Sequence, residues 1–255
     1  MNLSRQAWFG PKGAAESLEA YLWGLGITNA EPAQWYFLAN AIPSGGTVDP
    51  VSGSRMLPEG TASQLQAAGL LPGAIFNKSC QFQGGAYYQE ADYAYAIPTK
   101  YTLFVFFKTA AAGPQALCGM MDTNAGDGSR AGLLLNAAGE LVGGQDTAST
   151  ATPFYSVTGS TALNDGAPHM AAMTFDSTPN LVTVYQDGTS IGTVTPGSLG
   201  IPGDTTVPVI AWGTFGYAGR ATVYTYTGYM QSFLFWPGTV MTAAQIAETY
   251  AKAGL

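Results

Sequence analysis

Residues 169–187, HMAAMTFDSTPNLVTVYQD, decide the fold. His169, Ala171, Met173 and Phe175 alternate with Met170, Ala172 and Thr174, the period of two that sends successive side chains to opposite faces of a strand. Asp176-Ser177-Thr178-Pro179-Asn180 is turn chemistry. Leu181 to Tyr185 resumes an extended, β-branched run, and Asp187-Gly188 turns the chain into Ile191–Val194. A meander of this kind has an apolar face that only a second sheet can bury, so the stretch predicts a β-sandwich.

Working outward, Tyr101–Phe107 is apolar on both faces. Leu103, Val105 and Phe107 face one way and Phe104 and Phe106 the other. A strand with one wet face would alternate apolar with polar. Phe104 and Phe106 therefore need a cover: the N-terminal helix, a long loop or another subunit. Ala116–Asp122 is a further strand, and Ala131–Leu135 with Leu141–Gly144 forms a hairpin. Val207–Trp212 and Tyr229–Trp236 supply the last strands. Gly213–Thr227, between them, reads as a surface loop or hairpin presenting Phe215, Tyr217, Tyr224 and Tyr226.

Helical signals lie near the ends. Ala14–Leu25 places Leu18, Leu22 and Leu25 on one stripe, with Glu16 and Glu19 facing outward. Thr242 with Gln245 has capping-box spacing and starts a C-terminal helix whose Ile246 and Tyr250 pack inward. Thr61–Gln64 repeats that spacing and predicts one or two helical turns ending at Gly69.

Several segments carry a family resemblance. The "H-x-A-x-T-F-D … Y-x-D-G" pattern of the central stretch resembles the laminin-G-like, concanavalin A-like jelly roll. Gln81–Tyr88 resembles that family's early "F-D-G-x-x-x-Y-V" strand, and Tyr101–Lys108 its "F-T-V-S-F-W-V-K" strand. Gly228–Trp236 followed by TAAQIAETY (242–250) is similar to its last strand and closing helix. The resemblance implies an all-β, two-sheet antiparallel jelly-roll sandwich over residues 31–255. A short helical arm, residues 1–30, precedes it and a short C-terminal helix closes it. The sandwich hosts lectins, adhesive modules, glycosidases and virion proteins, so the fold leaves the function open.

Composition narrows the choice. Of 255 residues only 10% are charged against 47% hydrophobic, a sparse surface of the kind an assembly subunit covers with a partner. The net charge of −7 offers no basic stripe for phosphates, which argues against nucleic acid. No apolar run reaches the length of a membrane span. MNLSRQAWFGPKG has no apolar core of a secretory signal, which fits release by lysis. Cys80 and Cys118 lie in apolar runs and read as buried thiols; a bridge between them would need neighbouring strands.

The candidate sites follow from these features. Trp8, Phe9, Leu18, Leu22, Trp23, Phe104 and Phe106 are candidate assembly anchors. Tyr87, Tyr88, Glu90, Asp92 and Tyr217 supply rings and carboxylates suited to a glycan. Asp122, Asn124 and Asp127, among flexible glycines, could hold calcium, although Asp/Asn/Gly is equally turn chemistry. His169 reads as structural. Glu90-Ala91-Asp92 lacks the third acid of the glycosidase motif, and no other catalytic motif appears, so no enzyme activity is expected.

The main expectation is a non-enzymatic virion structural protein of a bacteriophage, a capsid-decoration, fibre or tail-associated subunit contacting other virion subunits, including copies of itself. The alternative is an extracellular lectin-like module contacting a host-surface glycan, with a glycoside hydrolase third.

Overall fold

The computed structural model describes residues 16–25, 34–36, 47–48, 55–59, 65–74, 78–82, 87–90, 98–122, 130–145, 155–196, 208–215 and 224–255. Within these, only the backbone is described for 23, 34–36, 47–48, 55–59, 65–67, 78, 87–90, 121–122, 130, 208–212 and 214–215. In chain order the elements are α1 (Leu18–Gly24), β1 (Gln34–Tyr36), β2 (Thr47–Val48), β3 (Arg55–Glu59), β4 (Leu65–Ala68), β5 (Lys78–Phe82) and β6 (Tyr87–Glu90). There follow β7 (Lys100–Lys108), β8 (Gln115–Asp122), β9 (Arg130–Leu135), β10 (Glu140–Gln145), β11 (Tyr155–Ala162), β12 (Pro168–Asp176), β13 (Leu181–Gln186) and β14 (Thr189–Val194). The chain ends with β15 (Pro208–Trp212), β16 (Thr214–Phe215), β17 (Tyr224–Thr225), β18 (Gly228–Pro237) and α2 (Ala243–Ala253).

Two antiparallel sheets form the sandwich. The first runs β14-β13-β12-β7-β18-β5-β4, with β1 also pairing β18. The second runs β11-β10-β9-β8-β15-β6-β3-β2. The meander predicted from residues 169–187 is β12, β13 and β14, at one edge of the first sheet. Asn180, at φ 66°, and Asp187, at φ 49°, take the left-handed conformations its two turns require.

Leu103, Val105 and Phe107 of β7 enter the core between the sheets, with Ala171, Met173 and Phe175 of β12 and Leu133 and Leu135 of β9. Phe104 and Phe106 enter a second apolar layer on the opposite face of the first sheet. Leu18 and Leu22 of α1, Ile246 and Ala253 of α2, and Leu71 of the loop after β4 close this layer. That loop stitches the helices together: Leu18 N–H donates to the Gly73 carbonyl at 3.1 Å, and Gly73 N–H to the Ala253 carbonyl at 3.0 Å. Gly73 is required by close approach, because a Cβ there would overlap the Lys252 carbonyl oxygen.

Four expectations are corrected. Leu18, Leu22, Phe104 and Phe106 are fully buried within the chain, so their apolar character is spent on intramolecular packing and they present nothing to a neighbouring subunit. Glu19 is 1% exposed rather than outward, on a helix covered on more than one side. The run ending at Gly69 contains a strand, β4, where helix was expected, because Leu65–Ala68 extends the first sheet beside β5. The single early strand over Gln81–Tyr88 is instead two, β5 and β6, in different sheets.

Thr242 caps α2 as its spacing predicts: its hydroxyl accepts from Gln245 N–H, while the Gln245 side chain accepts from Thr242 N–H. Gly254 closes the helix in the left-handed conformation.

Candidate functional site

Both sheets end on the same side of the sandwich, the first with β14 and the second with β11, and the two edge strands run against each other. Near Val157 the seam is tight. A Cβ on Gly192, whose φ is 153°, would stand 2.9 Å from Val157 Cγ1, so glycine permits the approach. Val157 and Ile191 pack against the central core from the two strands.

One step along, the strands part around a cleft of about 290 Å³ lined by Thr158, Gly159, Ser160, Thr161, Gln186, Thr189 and Ile191. Strand alternation builds it. Val157 points to the core while Thr158 and Ser160 of β11 are exposed, and Gly159 between them adds no side chain. A Cβ at Gly159 would lie 3.0 Å from Gln186 Oε1 and 3.4 Å from Ile191 Cδ1, so the missing side chain lets Gln186 and Ile191 pack closely against β11. Its lining residues are Ile191, Gly159 and five whose side chains carry a hydroxyl or an amide. Each of those five groups can both donate and accept hydrogen bonds, and none is charged.

A second polar constellation sits where β12 begins. His169 Nδ1 lies 2.9 Å from Asp187 Oδ2, and Nε2 lies 3.0 Å from Asp165 Oδ1. The other Asp187 oxygen accepts from Met170 N–H at 2.9 Å, and Asp165 accepts from Ala167 N–H at 2.7 Å. The ring also lies 6.0 Å from that of Phe107. Burial of the imidazole opposes protonation, but the hydrogen bonds and charges of Asp187 and then Asp165 outweigh it and raise its pKa above the ordinary value. The Asp165 pKa is lowered, first by the Ala167 N–H and then by His169. With both nitrogens engaged, His169 ties two turns to the sheet, the structural role read from the sequence.

Trp8, Phe9, Asp92, Asn124, Asp127 and Tyr217 lie outside the described residues, and Trp23, Tyr87, Tyr88, Glu90 and Asp122 are described by backbone alone. Position 88 shares a register row with 212, 118, 133, 143 and 157, and Cys118 and Leu133 in that row belong to the core. Among the described residues no group of three or more His, Cys, Asp or Glu could hold a metal ion, and no helix is long and apolar enough to cross a membrane.

Tyr226, expected on the surface, is buried; its hydroxyl donates to the Lys108 carbonyl at 2.8 Å, a tether from the β17–β18 connection to the end of β7. Cys80 and Cys118 are buried thiols on β5 and β8, not joined in a disulfide, and burial raises the Cys118 pKa.

The seam was missed by sequence reading. β11, YSVTGSTA, carries the alternation of Tyr155, Val157 and Gly159 with Ser156, Thr158 and Ser160, and that period was the available signal.

No family model matches the chain, and no curated protein matches its sequence. Solved structures do match its fold. Domain 4 of AbnA, a GH43 extracellular arabinanase from Geobacillus stearothermophilus, in complex with arabinotriose, is 15% identical with a TM-score of 0.61, over 85% of this chain and 97% of that one. The Ruminococcus gnavus IT-sialidase CBM40 bound to α2,3-sialyllactose is 16% identical with a TM-score of 0.54, over 72% and 98%. The binding domain of botulinum neurotoxin DC in complex with SialylT is 8% identical with a TM-score of 0.52, over 85% of this chain and 52% of that one. At these identities the likeness shows a shared β-sandwich fold.

Proposed function

We propose that the chain is a non-catalytic carbohydrate-binding module and that the cleft between β11 and β14 is its binding site. The observation that carries this reading is the lining: Ile191 among residues that carry hydroxyls and an amide, each able to donate and accept, as sugar hydroxyls do. The structural neighbours support it, because those named above are seen with arabinotriose, α2,3-sialyllactose and SialylT bound. The lining holds no carboxylate pair, no histidine and no thiol, so the cleft binds without cleaving.

The virion-subunit reading loses one of its arguments. The α1 anchors Leu18 and Leu22 are consumed by the chain's own second apolar layer. The 10% charged composition remains as its support.

The test is a glycan array probed with the intact chain, with and without calcium. Binding to a defined set of saccharides, reduced by Gln186→Ala, is expected. An array on which the chain binds nothing under either condition would exclude the module.

A further inference from the structure

We infer that the β11–β14 cleft selects neutral saccharides and rejects acidic ones; this rests on the carbohydrate-binding reading and narrows its ligand class. Thr158, Ser160, Thr161 and Thr189 of the lining carry hydroxyls, Gln186 carries an amide, and no lining residue carries charge. A neutral sugar presents alternating donors and acceptors, so each hydroxyl it loses to water can be replaced in kind.

An acidic sugar presents a carboxylate that only accepts. It would have to shed water in a cleft with no Lys or Arg to receive it, where the acceptor lone pairs of the lining oxygens oppose it. The net charge of −7 works in the same direction at longer range.

The apolar part of the lining agrees with this selection. Ile191 packs on the core and is the one large apolar residue of the lining, with its Cδ1 3.4 Å from where a Cβ on Gly159 would stand. A C–H face of a sugar ring can rest there, whereas a charged substituent gains nothing from it. The adjoining backbones add neutral partners. β11 and β14 are terminal in their sheets, so each has backbone N–H and C=O groups outside the ladders.

The experiment compares matched pairs of glycans with and without a terminal acidic sugar, lactose and 3′-sialyllactose among them, and includes arabinotriose as a neutral trisaccharide. Binding to the intact chain is followed by NMR titration. The expected result is a neutral ligand with Kd on the order of 1 mM, and acidic partners at least about tenfold weaker. Neutral binding should change less than about twofold when salt rises from roughly 50 to 500 mM, because no ion pair is screened. Thr158→Val and Gln186→Ala should each weaken it about fivefold or more, with the thermal midpoint of the free protein unchanged.

If acidic glycans bind as tightly as their neutral partners, and both variants weaken that binding, the neutral selection is wrong and the module reading survives. If neutral binding is indifferent to both variants, the cleft is not its site and the inference falls. If no saccharide of either kind binds, the module reading itself falls, and this inference with it.

Discussion

Phe104 and Thr158 both occupy positions that a simple two-layer sandwich would leave in water, and the chain treats them in opposite ways. Around Phe104 the outer face of the first sheet is sealed. Two helices and the Leu70–Ala74 loop close an apolar layer in which Phe104 and Phe106 meet edge to face, ring centroids 5.5 Å apart. Around Thr158 the two edge strands approach, touch at Gly192 and Val157, and then part over a polar cleft. Where the sequence is aromatic on both faces of a strand, the product is structure. Where it offers Thr, Ser and Gly on edge strands, the product is an open surface able to exchange water for a ligand.

The largest expected effect breaks the sealed side. Phe104→Ala removes a fully buried ring from a layer held on one side by the sheet and on the other by short helices. A loss of about 3–5 kcal/mol is expected in denaturant unfolding. The same substitution should leave saccharide binding per folded molecule unchanged, because Phe104 lies on β7 and is not among the cleft residues. A loss below about 1 kcal/mol, a value typical of exposed sites, would mean that the helices do not close the layer.

A smaller effect is expected at the seam. Gly192→Ala places a Cβ 2.9 Å from Val157 Cγ1 at a φ that L-residues rarely adopt. The cost is on the order of 1–3 kcal/mol. The edge strands must also move apart, so the affinity of the neighbouring cleft should change in the same variant. Unaltered affinity beside a clear loss of stability would show that seam and cleft are mechanically independent.

The sealed side was largely legible in the sequence. The alternation in 103–107 separated the two apolar layers, the Leu18–Leu22 spacing supplied one cover, and the Thr242–Gln245 pair located the helix that supplies the other. What the sequence did not disclose was which molecule provides the cover. A buried aromatic pair looks the same whether a chain's own helix or a neighbour's seals it, and the answer depends on a loop tether, Gly73 between Leu18 and Ala253, that has no sequence pattern. Local propensity also misled at Leu65–Ala68, where pairing with β5 outweighs a helix-start signal. The open side was illegible for a different reason. β11 buries little, so its hydrophobic contrast is weak, and its strand character is plain only in the pairing with β10.

The smallest effect concerns the His169 clasp, which resembles the seam in being polar and the sealed layer in being closed. A neutral imidazole has one N–H and cannot donate to Asp187 and Asp165 together; the doubly protonated ring can. Because the pKa is raised in the folded protein, the clasp's contribution is fully present below the ordinary imidazole value of 6.5 and is lost as pH rises through the higher folded value. Asp165 sets the acid limit. Its lowered pKa means that its share is present above the ordinary value of 3.8 and is lost as pH falls through the folded value. The stability difference between the natural chain and His169→Gln should therefore be greatest between these limits and shrink from pH 6 toward pH 8, on the ordinary titration range of histidine. Each carboxylate also accepts from a backbone N–H, Asp187 from Met170 and Asp165 from Ala167 two residues on in its own turn, but the Asp187 side chain is 26% exposed against 55% for Asp165. Deprotonation should thus release the Asp165 turn first, and Asp165→Asn should lower the His169 pKa in an NMR titration while the β12 register persists. A His169 pKa at or below 6.5 in the natural chain would show that burial, not the two carboxylates, governs the ring, and that the clasp is as indifferent to pH as the sealed layer.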